Sequence, residues 1–302
     1  MRIPLLYWLM ILALGGVWGG AFFFTKVAVA EIAPLTLVLF RVGFAAIILW
    51  LIVAVARKAV GFDRQSMVRW LMMGLLANAL PFALLFYGQR EIGAGLASII
   101  NASTVLWTAV FAQIFLPDEK LTSLKSVGIA AGFIGIIVMI GPAALEGLGA
   151  SVIAQLLVVA TAISYGFAAI YSRRFAKTDP MVTAAGQLTG ATLLIAPVAL
   201  LVDNPLQMAM PSAATIWSIV GLVVISTALA YVLFFAVVAK VGAVNVSLCT
   251  FIVPIVALLL GKLFLSETLI WNQWLGMAMI MFGLLAIDGR VFRTPTKRAS
   301  DA

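Results

Sequence analysis

The 302-residue chain contains no histidine and a single cysteine, Cys249. Without imidazole, most metal clusters and the common nucleophile–base arrangements of hydrolytic enzymes are removed. One thiol cannot close an internal disulfide, and Cys249, inside an apolar run, reads as a small buried hydrophobe. Charge is scarce too: Asp, Glu, Lys and Arg together make up 10% of residues, against about 25% in globular chains. All eleven acids stand at or beyond the ends of apolar runs, so no carboxylate is placed to serve as an intramembrane proton relay. A Walker-type phosphate loop is also missing, which excludes ATP hydrolysis by the chain itself. These absences predict a protein that is not an enzyme and has neither a resident cofactor nor a metal site.

What the chain has instead is apolar surface. Apolar residues make up 64% and mean hydropathy is +1.18, more than a water-facing fold can hide, so the expected solvent is lipid. The formal charge of +8 could suggest nucleic acid, but the basic residues are scattered among short loops. That pattern fits membrane orientation and argues against a nucleic-acid partner. Met1-Arg2 and the following run look like a leader, yet the run continues through Phe24 without an Ala-x-Ala site. It reads as a retained span.

About 20 apolar residues cross the hydrocarbon core as a helix. That ruler predicts ten spans: 5–25, 34–56, 67–89, 93–116, 123–141, 150–172, 181–202, 214–239, 243–265 and 270–288. With the N-terminus inside, fifteen of the nineteen lysines and arginines fall on the cytoplasmic side. Lys26, Arg90 and Lys262 lie outside, and Arg41 lies within a span. This bias predicts that both termini are cytoplasmic.

The chain also repeats itself. Pro34 and Arg41 stand 146 residues before Pro180 and Gln187, and Trp18-Gly19 stands 147 before Tyr165-Gly166. Glu119 stands 148 before Glu267; each acid is followed by paired glycines, Gly128 with Gly135 and Gly276 with Gly283. Five spans per half is an odd number, so the second half must be inverted relative to the first, a construction recurrent in secondary transporters. The predicted fold is an all-α polytopic membrane protein of ten transmembrane helices in two inverted five-helix repeats. The halves are 1–145 and 146–290, followed by a cytoplasmic tail, 291–302.

Polar residues inside spans are the candidates for ligand contact. Asn101, Thr104 and Thr108, with Ser98, share a face of the fourth span. Either a cavity or interhelical hydrogen bonding would accommodate them. Trp18 and Trp107 sit near mid-span and could wall an aromatic or cationic ligand, or simply pack. Trp8, Trp70, Trp217, Trp271 and Trp274 lie near span ends and fit an interfacial belt. In the third span, Asn78 and Phe82 bracket Pro81, which frees a backbone carbonyl. Ser226, Thr227, Tyr231 and Phe234 occupy equivalent depth in the eighth span, and Pro254 repeats the proline in the ninth. These prolines could form gates or fixed kinks. Tyr165, Phe22 and Thr250 complete the candidate lining. Arg41, roughly 10 Å into its span, is expected to snorkel outward or pair within the bundle. Glu119 and Glu267 are expected to be structural ties.

Trp18-Gly19, Lys26, Arg41, the two glutamates and the four glycines resemble the drug/metabolite transporter superfamily, and within it the ten-span carriers made of two EamA domains. The resemblance covers about Leu5 to Asp288 and implies a cavity lined by spans one, three, four, six, eight and nine, with five and ten peripheral. It implies a secondary carrier in the bacterial cytoplasmic (inner) membrane that moves amino acids, with export favoured. Some such carriers are similar to bacterial aromatic amino acid exporters. Drugs, organic cations and other metabolites such as nucleotide sugars remain open as substrates, as does a structural, non-transporting role. The expected partners are a small-molecule substrate and the lipid bilayer, with the protein a monomer.

Overall fold

The structure, a computed structural model, describes residues 4–116, 122–140, 150–242, 246 and 248–288. Among these residues every regular element is helical. The chain runs α1 (Leu5–Ala28), α2 (Pro34–Val55), α3 (Arg64–Gly74), α4 (Leu80–Glu91), α5 (Ala94–Ala102), α6 (Thr104–Phe115) and α7 (Ser123–Ile140). It continues with α8 (Ala150–Ser172), α9 (Pro180–Val202), α10 (Ala213–Val220), α11 (Ala230–Val241), α12 (Cys249–Leu265) and α13 (Trp271–Asp288). Two π-helical stretches, Leu75–Ala79 and Gly221–Leu229, join α3 to α4 and α10 to α11. Eight of the resulting helical rods are long and apolar enough to cross a membrane, and Cys249–Leu265 is a shorter apolar helix. The protein is a polytopic helical membrane fold.

The helix starts follow from local chemistry. Pro34 and Pro180 occupy first turns, where a missing N–H costs nothing. Asp179 caps α9 by accepting from Met181 N at 2.9 Å, and Asp63 caps α3 by accepting from Ser66 N at 3.0 Å. Ser212 caps α10 and donates its hydroxyl to Glu31 at 2.6 Å. These hydrogen bonds hold the Glu31 carboxyl below its ordinary range. Lys58, just past the end of α2, pairs with Asp179 at the start of α9, 2.9 Å away.

The fourth span is not one helix, as its apolar run suggests. It breaks at Ser103, whose φ of −61° and ψ of −10° tighten the chain between α5 and α6. The ninth span was expected over 243–265; its described helix begins at Cys249, since 243–245 and 247 lie outside the described residues.

The π-helix at Leu75–Ala79 has an identifiable cause. Leu80 N donates to Leu75 O, the i→i−5 bond of this geometry. The next such bond would run from residue 81 to Leu76 O, but Pro81 has no N–H. Ser164 on α8 fills the gap, donating its hydroxyl to Leu76 O at 2.7 Å. Thr161, one turn earlier, donates to Pro81 O at 3.2 Å. The expected kink at Pro81 is thus a π-helical widening, latched by α8. The stretch Gly221–Leu229 contains no proline; Thr227 donates its hydroxyl back to Leu222 O at 2.7 Å, and Ser226 donates to Val17 O on α1.

At the bundle's edge α7 and α13 pack through glycines. A Cβ on Gly128 would lie 2.8 Å from Gly283 O, and one on Gly135 would lie 2.8 Å from Gly276 O. The relation is reciprocal and antiparallel: a Cβ on Gly276 would lie 2.6 Å from Gly135 O, and one on Gly283 would lie 2.5 Å from Gly128 O. Small residues that let backbones touch are the usual adhesive between helices in lipid.

Outward faces are greasy, as lipid contact requires: Val55, Leu201 and Leu263 are all exposed. Trp217 and Trp271 are exposed as well. Trp70, expected in the interfacial belt, is instead buried, edge-on to Trp50 and Phe62 and against Gly186. Its position near a span end gave depth but not the direction in which its face points.

Candidate functional site

A cavity of about 380 Å³ lies in the middle of the bundle. Its wall draws on residues before and after the midpoint of the chain. Trp18, Phe22 and Thr25 come from α1, Arg41 from α2, Phe82 and Leu85 from α4, Ser98 and Asn101 from α5, and Thr104 and Val105 from α6. Tyr165 on α8, Ser226 and Thr227 on the second π-helix, Tyr231 on α11, and Thr250 and Val253 on α12 close the other side. Ten of the residues singled out in the sequence as cavity lining meet here: Trp18, Phe22, Phe82, Ser98, Asn101, Thr104, Tyr165, Ser226, Tyr231 and Thr250.

The break at Ser103 explains several of these placements. Ser98 and Asn101 lie before it and Thr104 just after, and all three reach the cavity. Ser98 and Thr104 hydroxyls donate to local carbonyls, Gly95 O and Asn101 O, each at 2.7 Å. Asn101 Oδ1 is buried and accepts nothing within the protein. Thr25 Oγ1 is likewise buried without a partner.

Four expected wall residues lie elsewhere. Trp107 packs edge-on against Phe133 at 4.7 Å and beside Phe111, with its indole N–H buried and unpartnered. Thr108 donates to Thr104 O and faces a second cavity of about 260 Å³, below Val105, with Lys125 and Arg173 in its lining. Phe234 packs against Trp18 with its ring tilted by 42°, centroid to centroid 5.6 Å, and is not among the cavity's described lining residues. Asn78 is fully buried and touches the site only through Tyr231, whose hydroxyl reaches its Oδ1 at 3.4 Å. Helical spacing assigns Thr108 to the Asn101 face and mid-span depth assigns Trp107 to the wall, whereas α6 presents Thr108 to the second cavity and packs Trp107 on Phe133.

Pro81 is buried next to Phe82, and Pro254 lies in α12 one turn beyond Thr250. Glu267 accepts from Ala94 N at 2.8 Å and Gly95 N at 3.1 Å, capping α5 from the connection after α12. Gly93 permits this, since a Cβ there would lie 2.6 Å from the Glu267 carboxyl carbon. Glu119 lies outside the described residues.

Arg41 is held inside the bundle. It is 6% exposed and does not run outward to the membrane surface. Its Nε donates to Thr227 Oγ1 at 3.1 Å, and its guanidinium carbon lies 3.9 Å above the Phe82 ring. Its counterpart in the second half, Gln187, donates to the Tyr231 hydroxyl at 2.6 Å. Two corresponding positions therefore deliver different chemistry to the same central layer, a cation from one side and an amide from the other. Depth alone could have placed Arg41 on the wall; its inward direction is set by Thr227 and Phe82, 186 and 41 residues away in sequence.

The fold and the site together define a membrane protein built around a small, mostly apolar central cavity. The family comparison narrows that class. The EamA-like transporter family matches the chain twice, over residues 5–141 and 152–287, and the chain belongs to that family. "Uncharacterized transporter YoaV" of Bacillus subtilis is 26% identical over 89% of this chain and 91% of its own. "Uncharacterized inner membrane transporter YedA" of Escherichia coli is 24% identical over 93% and 90%. "Protein PecM" of Dickeya dadantii is 28% identical over 90% and 89%. One crystal structure superposes with a TM-score of 0.64 over 93% of this chain and 96% of its own, at 18% identity, a likeness of fold.

Proposed function

We propose that the protein is a secondary carrier that moves small metabolites, amino acids foremost, by alternating access through the central cavity. The observation that carries this reading is the cavity itself, about 380 Å³ and walled by residues from both parts of the chain that match the family. That volume is within the range of about 300–1,000 Å³ usual for small-molecule sites. In this reading residues 1–145 and 146–290 are inverted halves, and the reciprocal glycine contacts of α7 and α13 support a two-fold relation between them. Ten spans with both termini in the cytoplasm, a bacterial inner-membrane location and the export direction belong to the same proposal; the bias of basic residues supports the topology.

The wall contacts assigned to substrate are Trp18, Phe22, Asn101, Tyr165, Tyr231 and Thr250, with Pro81 and Pro254 marking the helices whose bending opens the site. Purified protein in lipid vesicles should catalyse saturable counterflow of labelled amino acids without ATP. If no small solute moves under any imposed gradient, the carrier reading fails.

A further inference from the structure

We propose that Arg41 binds a carboxylate of the transported molecule, so that the cavity selects small organic acids or zwitterions and rejects organic cations. The proposal rests on the carrier reading and assigns the charge class of its cargo.

An arginine deep in a membrane span is costly, and such residues normally pair or line a water-filled path. Among the described residues Arg41 has no carboxylate to pair with, and none of them that lines the cavity is an aspartate or glutamate. A guanidinium has five N–H donors, and among the described residues Arg41 uses one, its Nε on Thr227. The Phe82 ring adds a cation–π contact. That contact does not use up the N–H donors on which bidentate carboxylate recognition depends. The cation is therefore held, uncompensated by any described carboxylate, at a cavity large enough for a small solute.

The rest of the wall limits what accompanies the carboxylate. Trp18, Phe22 and Val253 suit an apolar or aromatic remainder, and the free acceptor of Asn101 could take an N–H. For a permanent organic cation the same wall offers rings but a like charge in the centre, which disfavours entry.

The test uses the full chain in lipid vesicles and in detergent, with four matched compounds: 3-phenylpropanoate, L-phenylalanine, 3-phenylpropanamide and 2-phenylethylamine. Binding is read from the thermal shift and from tryptophan fluorescence, and transport from counterflow. The acid or the amino acid should bind at least tenfold tighter than the amide and the amine. Preference for phenylalanine over the simple acid would show that the ammonium is read as well; the reverse would mark an organic acid carrier. Arg41→Gln should cut affinity for the carboxylates at least tenfold while leaving weak amide binding unchanged. Arg41→Lys, which keeps the charge, should fall between them and serves where the glutamine variant does not fold. Equal binding of acid, amide and amine by the native protein, or an acid preference that survives in either variant undiminished, overturns the proposal. Transport of amines or neutral solutes with no acid recognised would overturn it and leave the carrier reading standing. A protein that moves nothing removes both.

Discussion

Asn101 and Trp107 look alike from the sequence, two polar-tipped side chains near the middle of one span, and the structure separates them. Asn101 Oδ1 is a buried acceptor at the cavity wall with no partner. Removing an unsatisfied group of this kind is neutral or stabilising. Asn101→Ala should therefore leave the melting temperature unchanged or raised while weakening the apparent substrate affinity several-fold in counterflow. Trp107, wedged against Phe133 and Phe111, belongs to packing. Trp107→Ala should lose stability by about 3–5 kcal/mol, the usual range for deleting a large aromatic from a packed site, with substrate ranking retained. The polar residue types were legible in the sequence because every polar group in an apolar span is conspicuous. Which way each one faces was not. Orientation depends on helix phase, and a single turn at Ser103 resets the phase for everything after it.

At the scale of elements, apolar runs identified the helices because lipid requires long uninterrupted stretches with internal hydrogen bonding. The caps and prolines set most of their starts. What the runs conceal are the internal irregularities. Pro81 announces one, but Gly221–Leu229 has no proline and its π-helix depends on contacts such as Ser226 to Val17 O. The account of the first π-helix can be tested by a double-mutant cycle. Ser164→Ala should cost about 1–3 kcal/mol by leaving Leu76 O buried without a donor. In a Pro81→Ala background the restored N–H can serve that carbonyl, so the same serine change should cost much less. Equal penalties in both backgrounds would detach Ser164 from the proline. A second test concerns the helix end at Asp179. Burial is the largest single influence on this carboxyl and raises it, but the Lys58 contact and the N–H groups of Met181 and Val182 together outweigh it and hold the group below its ordinary value. A depressed carboxyl contributes stability above its unfolded pKa, near about 3.9, and loses it as pH falls through the lower folded value. Melting of the native protein should therefore drop below about pH 4 more steeply than that of Asp179→Asn. The difference should stay under about 1 kcal/mol, because the pair is partly exposed.

For the whole molecule, the repeat of landmarks and the family match describe one construction used twice. The reciprocal glycines of α7 and α13 extend that description to three dimensions. Its two halves nevertheless present unlike side chains to the centre. Arg41 and Asn101 line the cavity, whereas the residues that match them in the sequence repeat, Gln187 and Cys249, are not among its described lining residues. Alternating access follows from this construction if the halves can exchange roles, each closing in turn over the shared cavity. The direct measurement is sided thiol labelling of Thr250→Cys in a Cys249→Ala background, with a membrane-impermeant reagent applied to oriented vesicles. The account predicts that residue 250 reacts from either face and that a transported solute shifts the balance between the two. Reactivity confined to one face, unchanged by every solute that the protein moves, would contradict it.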